Sequence, residues 1–140
     1  MTRFVVDNSV VMKWYVPEVH DAAARRLIRG EHTLHAPELL VPEFTNTIRT
    51  RVRAGILTWD EADLLMFEFR RQPVELHAHS NYMDVAMDIA IRYNHPAYDC
   101  FYLALALDLQ AQCVTADRRF HDATSSGYPD TLCWVEDIPA

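Results

Sequence analysis

Four acidic residues, Asp7, Glu43, Asp99 and Asp117, stand where a negative charge is costly or where a strand is about to end. Asp7 closes the run Phe4-Val5-Val6, and Asp117 closes Cys113-Val114-Thr115-Ala116. Glu43 lies within Leu39-Leu40-Val41-Pro42-Glu43-Phe44, and Asp99 precedes the apolar stretch Cys100 to Leu107. An ionised carboxylate in such surroundings needs a cation, a charged partner or hydrogen bonds. Taken singly, each acid has a structural explanation. Asp7 and Asp117 can cap the helices that follow them, Asp99 suits the positive end of a helix dipole, and Glu43 can face solvent. The joint pattern, two acids at strand ends and two on apolar helices, points to one cluster. Carboxylates without thiolates or paired histidines select a hard dication, Mg²⁺ or Mn²⁺. Such a centre polarises a phosphate and lowers the pKa of a bound water for in-line attack.

The elements that must position these side chains alternate along the chain. Strands are expected at Arg3–Val6, Thr33–Ala36, Val74–His77, Gln112–Thr115 and Thr131–Val135. Helices are expected at Ser9–Val16, Val19–Arg29, Glu38–Ala54 (with Pro42 bending its first turns), Ser80–Tyr93, Pro96–Leu109 and Arg118–Ala123. Thr58 and Glu61 form a capping box that opens one more, to about Arg71. Gly30 and Gly55 each follow a helix-like segment. In Ser80–Tyr93, Met83 and Met87, and Ala86 and Ala90, recur at helical spacing. The segment Cys100–Leu109 is apolar nearly all round and should be sandwiched. This order predicts an α/β fold, a three-layer α/β/α sandwich around a mostly parallel sheet, with residues 1–140 as one domain. In such sheets ligands bind beyond the carboxyl ends of the strands, where strand order reverses. Asp7 and Asp117 occupy that end of two strands. Glu43 and Asn46, three apart, share a helix face beside the apolar stripe Leu40, Phe44 and Ile48.

Bulk composition narrows the classes. Half the residues are hydrophobic and 24% charged, as expected for a chain with a real core. A net charge of −7 argues against a broad basic nucleic-acid surface but leaves room for a nucleic-acid enzyme. No apolar run reaches the ~18 residues a membrane span needs, and no signal peptide is expected. Cys100, Cys113 and Cys133 are too few and too widely spaced for a disulfide framework or a thiolate zinc site, so a reducing cytoplasm fits. The histidines, including His77-x-His79, read as surface or hydrogen-bonded groups rather than zinc ligands. Cys100 reads as a buried, inert thiol. Neither the Gly-x-Ser-x-Gly elbow nor a glycine-rich phosphate loop occurs.

Four segments carry a family resemblance. Val5-Val6-Asp7-Asn8-Ser9-Val10-Val11-Met12-Lys13-Trp14 resembles the opening signature of PIN-domain ribonucleases, specifically the VapC-type toxins of bacterial toxin–antitoxin pairs. Pro42-Glu43-Phe44-Thr45-Asn46, Tyr98-Asp99-Cys100-Phe101-Tyr102-Leu103-Ala104-Leu105-Ala106 and Thr115-Ala116-Asp117-Arg118-Arg119-Phe120 resemble the second, third and fourth motifs, in family order. The resemblance implies endonucleolytic cleavage of RNA at a Mg²⁺ or Mn²⁺ site formed by Asp7, Glu43, Asp99 and Asp117. It implies supporting roles for Ser9, Thr115 and Asn46. It also implies a small antitoxin over the acidic pocket, presenting Arg or Lys, and a homodimer. Arg118 and Arg119 adjoin the site and are candidates for RNA phosphate, and Asp122 is a further acid nearby. Three rivals share the acids. A haloacid-type phosphatase would need a second Asp where Ser9 stands. A phospho-receiver domain would need a lysine near the last strands, but the sole lysine is Lys13. A non-catalytic acidic pocket would receive a basic peptide.

Overall fold

The computed structural model describes residues 2–140. Strand β1 (Thr2–Val6) leads into a short helix α1 (Asn8–Met12) and then α2 (Asp21–Arg29). Strand β2 (His32–Pro37) is followed by α3 (Leu40–Arg53) and α4 (Trp59–Arg71), and β3 (Val74–His77) by α5 (Met83–Arg92) and α6 (Ala97–Leu109). The chain ends through β4 (Gln112–Thr115), α7 (Arg118–Thr124) and β5 (Leu132–Trp134). All strand pairs are parallel, in the order β3-β2-β1-β4-β5. Phe4, Val5 and Val6 are buried on both faces of the sheet, which is why β1 reads as a continuous apolar run rather than an alternation.

The direction of strand addition reverses at β1. Right-handed crossovers then put the β1-to-β3 helices on one face and α5 and α6 on the other, giving three layers. Helix α6 packs on β1, β2 and β4 and is backed by α5. Its residues Cys100 and Tyr102 to Ala106 are all buried, the sandwiched position expected of a helix without a polar face. The β1–β4 pair carries the register Phe4↔Gln112 to Val6↔Val114, so the two strands end side by side. Asp7 and Asp117 leave the sheet together at that crevice.

Several boundaries differ from the sequence expectation for local reasons. Helix α1 stops at Met12, because Lys13, Trp14 and Tyr15 close tighter bonds to the carbonyls three residues back. Trp14 then donates its indole N–H to the Ala24 carbonyl at 2.9 Å. Helix α3 starts at Leu40, since the Glu38 N–H extends the β2–β3 ladder to the His77 carbonyl at 2.8 Å. Pro42 does not interrupt it; the missing N–H falls in the first turn, where no intrahelical acceptor exists. The expected helix Ser80–Tyr93 splits into one 3₁₀ turn, His79–Tyr82, and α5. Met83 and Met87 face solvent, while Ala86 and Ile89 face the core. Gly55, with φ +76, turns the chain out of α3 in the left-handed conformation that a Cβ would strain; Gly30 is extended.

Candidate active site

Four separate elements bring the four acids to one open pocket of about 170 Å³ at the β1–β4 crevice. It is lined by Asp7, Asn8, Ser9, Glu43, Asp99 and Asp117. Asp7 is buried and caps α1, its Oδ1 accepting the Val10 N–H at 3.1 Å and the Ser9 hydroxyl at 2.5 Å. Ser9 Oγ in turn accepts the Ala116 N–H at 3.0 Å, so one hydroxyl ties the end of β1 to the end of β4. Asp117 caps α7 through the Arg119 and Phe120 N–H groups, at 3.0 and 3.4 Å. Thr115 is buried, and its Oγ1 accepts the Asp117 N–H at 3.0 Å. The capping roles that Asp7 and Asp117 suggested alone are therefore real, and they coexist with convergence. A cap fixes the carboxylate's position at no cost to its second oxygen.

The helical acids are held differently. Asp99, in the first turn of α6, is bonded at 2.7 Å to Nε2 of His95, a side chain almost wholly buried. Glu43, in the first turn of α3, accepts the Tyr102 hydroxyl at 2.5 Å. Tyr102 stands three residues after Asp99 on the same face of α6, so one helix supplies an acid and the group that steers another.

Electrostatics follow from crowding like charges in a partly dry crevice. Burial pushes the Asp7 carboxyl up to about 7, with the Asp99 charge adding and the Ser9, Thr115 and Val10 donors opposing. Burial likewise raises Asp99, with Asp117 adding and His95 opposing. Glu43 is raised by burial and by Asp99, against the Tyr102 hydrogen bond. The Tyr102 phenol is raised in turn, by burial and then by the Glu43 charge. A dication in the pocket would reverse the sign of this mutual penalty.

The donor set fits a hard dication. It is all oxygen, and the three thiols are buried elsewhere. Asn8 gives its amide N–H to Thr47 Oγ1 at 2.8 Å and leaves its Oδ1 buried without a hydrogen-bond partner, an oxygen free for a cation or its water. No three of the pocket acids bring donor oxygens within 4.8 Å of one another, so cation binding requires side-chain adjustment.

Other sequence candidates lie outside the pocket. Asn46 is exposed and does not line it; Asn8 does. Arg118 lies over the Trp134 ring, 3.7 Å from its centroid, and 4.0 Å from Asp122. Arg119 is exposed at the start of α7, and Asp122 is spent on Arg118 and His121. Lys13 pairs with Glu18 at 3.3 Å and does not line the pocket, which leaves the phospho-receiver reading without its lysine. Sequence reasoning missed Asn8, His95 and Tyr102. The signals were there: Asn8 adjoins Asp7, and Tyr102 follows Asp99 at helical spacing.

The family model for the PIN domain matches residues 4–125. The chain belongs to the PIN-domain family. It is 29% identical over 119 residues to Ribonuclease VapC3 of Pyrobaculum aerophilum, spanning 84% of this chain and 91% of that protein. It is 31% identical over 128 residues to Ribonuclease VapC9 of Mycobacterium tuberculosis, spanning 91% and 96%. Among solved structures, PAE2754 from Pyrobaculum aerophilum superposes with a TM-score of 0.71 at 18% identity, over 96% of this chain and 85% of that one. That likeness is one of fold. Among the described residues of this PIN domain, no helix is long and apolar enough to cross a membrane.

Proposed function

We propose that this PIN-domain chain is an endoribonuclease dependent on Mg²⁺ or Mn²⁺, acting in the cytoplasm as the toxin of a toxin–antitoxin pair. The observation that carries the reading is the pocket itself: four carboxylates from four elements around one crevice, with nothing softer than oxygen among the lining donors. The VapC ribonucleases that align over most of the chain support the substrate class.

Asp7, Asp99, Asp117 and Glu43 would hold the cation, with Asn8 Oδ1 available to it or to a water. When bound, the cation supplies Lewis acidity to the phosphodiester and lowers the pKa of the attacking water. The chain's own residues set the geometry. The Val10, Arg119 and Phe120 amides fix the two strand-end acids, and the His95 and Tyr102 side chains fix the two helical ones. Ser9 and Thr115 hold the crevice ends together. Arg118 and Arg119, beside the fourth acid, are proposed to meet RNA phosphate.

The small antitoxin would cover the acidic pocket with Arg or Lys and lie along the exposed parts of α2, α3 and α4. Ile56, Trp59, Leu64 and Phe67 are exposed around α3 and α4, an apolar strip suited to such a partner. A homodimer is proposed with it, and residues 1–140 are proposed to act as one nuclease unit. The test is cleavage of defined RNAs by the native chain and by Asp99→Asn, with Mg²⁺, Mn²⁺ or chelator. Cleavage that needs the cation and is lost in the variant supports the reading. Cleavage that persists in chelator, or in Asp99→Asn, overturns it. For the arginines, Ala at both positions should flatten the salt dependence of RNA binding.

A further inference from the structure

A second set of donors lies apart from the acidic pocket, on the outer strands β2 and β3. Among the described residues, His35, Glu75 and His77 are the one group of three that places ligand atoms within 4.8 Å of one another. We propose that these three side chains form a site for a borderline transition dication of the Zn²⁺ class.

Strand register creates the trio. His35 is aligned with Glu75, and His77 lies two residues further along β3, so the pleat turns all three to the same face. His35 Nδ1 lies 3.0 Å from His77 Nε2 and 3.4 Å from a Glu75 carboxylate oxygen. Tetrahedral coordination with bonds of 2.0–2.1 Å separates its donors by roughly 3.3 Å. The observed spacings bracket that value, so binding needs only small side-chain movement.

The surroundings match the requirements of a ligating imidazole. Its second nitrogen is normally tied to a fixed partner, which sets the tautomer and the ring plane. Here Nε2 of His35 lies 3.0 Å from the Thr33 hydroxyl, and Nδ1 is left to face the other two donors. The His35 side chain is 10% exposed and that of Glu75 67%, so the trio has a buried anchor and an open side for entry and for a water ligand. Burial holds the His35 imidazole below its ordinary range, with the nearby His77 adding and Glu75 opposing. Two imidazoles and one carboxylate are softer than the acidic pocket and prefer Zn²⁺, Ni²⁺ or Cu²⁺ to Mg²⁺. A bound ion would cross-link the edge strand β3 to β2. Without a metal the same geometry is satisfied by a hydrogen bond between the two rings, and the experiment separates the two.

Zn²⁺ binding is measured by competition with a chromophoric chelator, on the native chain and on one carrying Asp7→Asn and Asp99→Asn. The substituted chain should still take up one Zn²⁺, because the acidic pocket contributes none of the ligands of the strand site; the native chain should take up that ion and any further one its acidic pocket holds. Glu75→Gln and His77→Gln, at accessible edge positions, should each weaken binding at least about tenfold. Thr33→Val should weaken it by about tenfold through the orientation of His35. Circular dichroism confirms that each variant is folded. Co²⁺ should give visible ligand-field bands in the native chain and lose them in His77→Gln. Failure of the native chain to take up Zn²⁺, an affinity unchanged in His77→Gln, or a site lost with the two Asp substitutions would overturn the proposal. RNA cleavage is not read in this experiment, so its outcome is independent of the nuclease reading.

Discussion

The two polar clusters of this sheet are built in opposite ways. The acidic pocket sits at the β1–β4 crevice, where strand order reverses, and its side chains come from the loops and helices just beyond the strands. The His35, Glu75 and His77 cluster sits within the ladder of β2 and β3, and its side chains come from the strands themselves. The first gathers like charges, each held by a separate hydrogen-bond partner and destabilised by the others. The second gathers two imidazoles and one carboxylate within mutual contact. A crevice between diverging connections can collect repelling groups because helices and caps hold each from behind. A paired ladder can collect only groups that tolerate its fixed spacing.

The contrast is broken most decisively by activity. Asp7→Asn or Asp99→Asn should reduce metal-dependent RNA cleavage on the order of 10³-fold, whereas His77→Gln should leave the rate unchanged. Equal losses at both sites, in a steady-state cleavage assay, would mean the clusters act as one.

Stability against pH sharpens the comparison next. Unfolded Asp7 ionises near 3.8 and folded Asp7 near 7, so the folded chain retains a proton between those values. Its contribution to stability is complete below about 3.8 and is lost as pH rises through about 7. Denaturant titrations in chelator should show stability falling over that interval, by up to about 4 kcal/mol. Asp7→Asn should flatten the profile, and Mg²⁺ should restore stability at the upper end.

Two smaller effects test the supports. Tyr102→Phe should cost about 1–2 kcal/mol and slow cleavage, since Glu43 loses the hydroxyl that orients it. Thr58→Ala removes the cap of α4, away from both clusters, and should cost about 1 kcal/mol with cleavage and both metal affinities unchanged. Thermal melts and the same cleavage assay check both.

What the sequence disclosed follows the range of the forces involved. The capping box at Thr58 and Glu61 and the apolar α6 were readable because their determinants lie within a few residues. Asp7 and Asp117 were readable because an acid closing an apolar strand marks the strand's carboxyl end wherever the strand lies. The selection of Asn46 rather than Asn8 was a rotational matter: helical spacing put Asn46 near Glu43, but α3 turns it to solvent. Met83 and Met87, and Ala86 and Ala90, recur at the same helical spacing, so spacing alone did not say which face is buried; the small Ala86 beside Ile89 gives α5 its close approach to α6, which leaves the methionines outside. The histidine cluster left no local signal, since it depends on the register of two strands separated by the whole of α3 and α4.

The outermost strands, β3 and β5, span only four and three residues. A second copy laid against either margin would gain a mere handful of backbone bonds, too few to fuse two sheets into one. Any self-association would therefore have to be written in side chains on the helical layers, where Met83, Met87 and Ile91 stand uncovered. Surface substitutions there would test it without touching the strands.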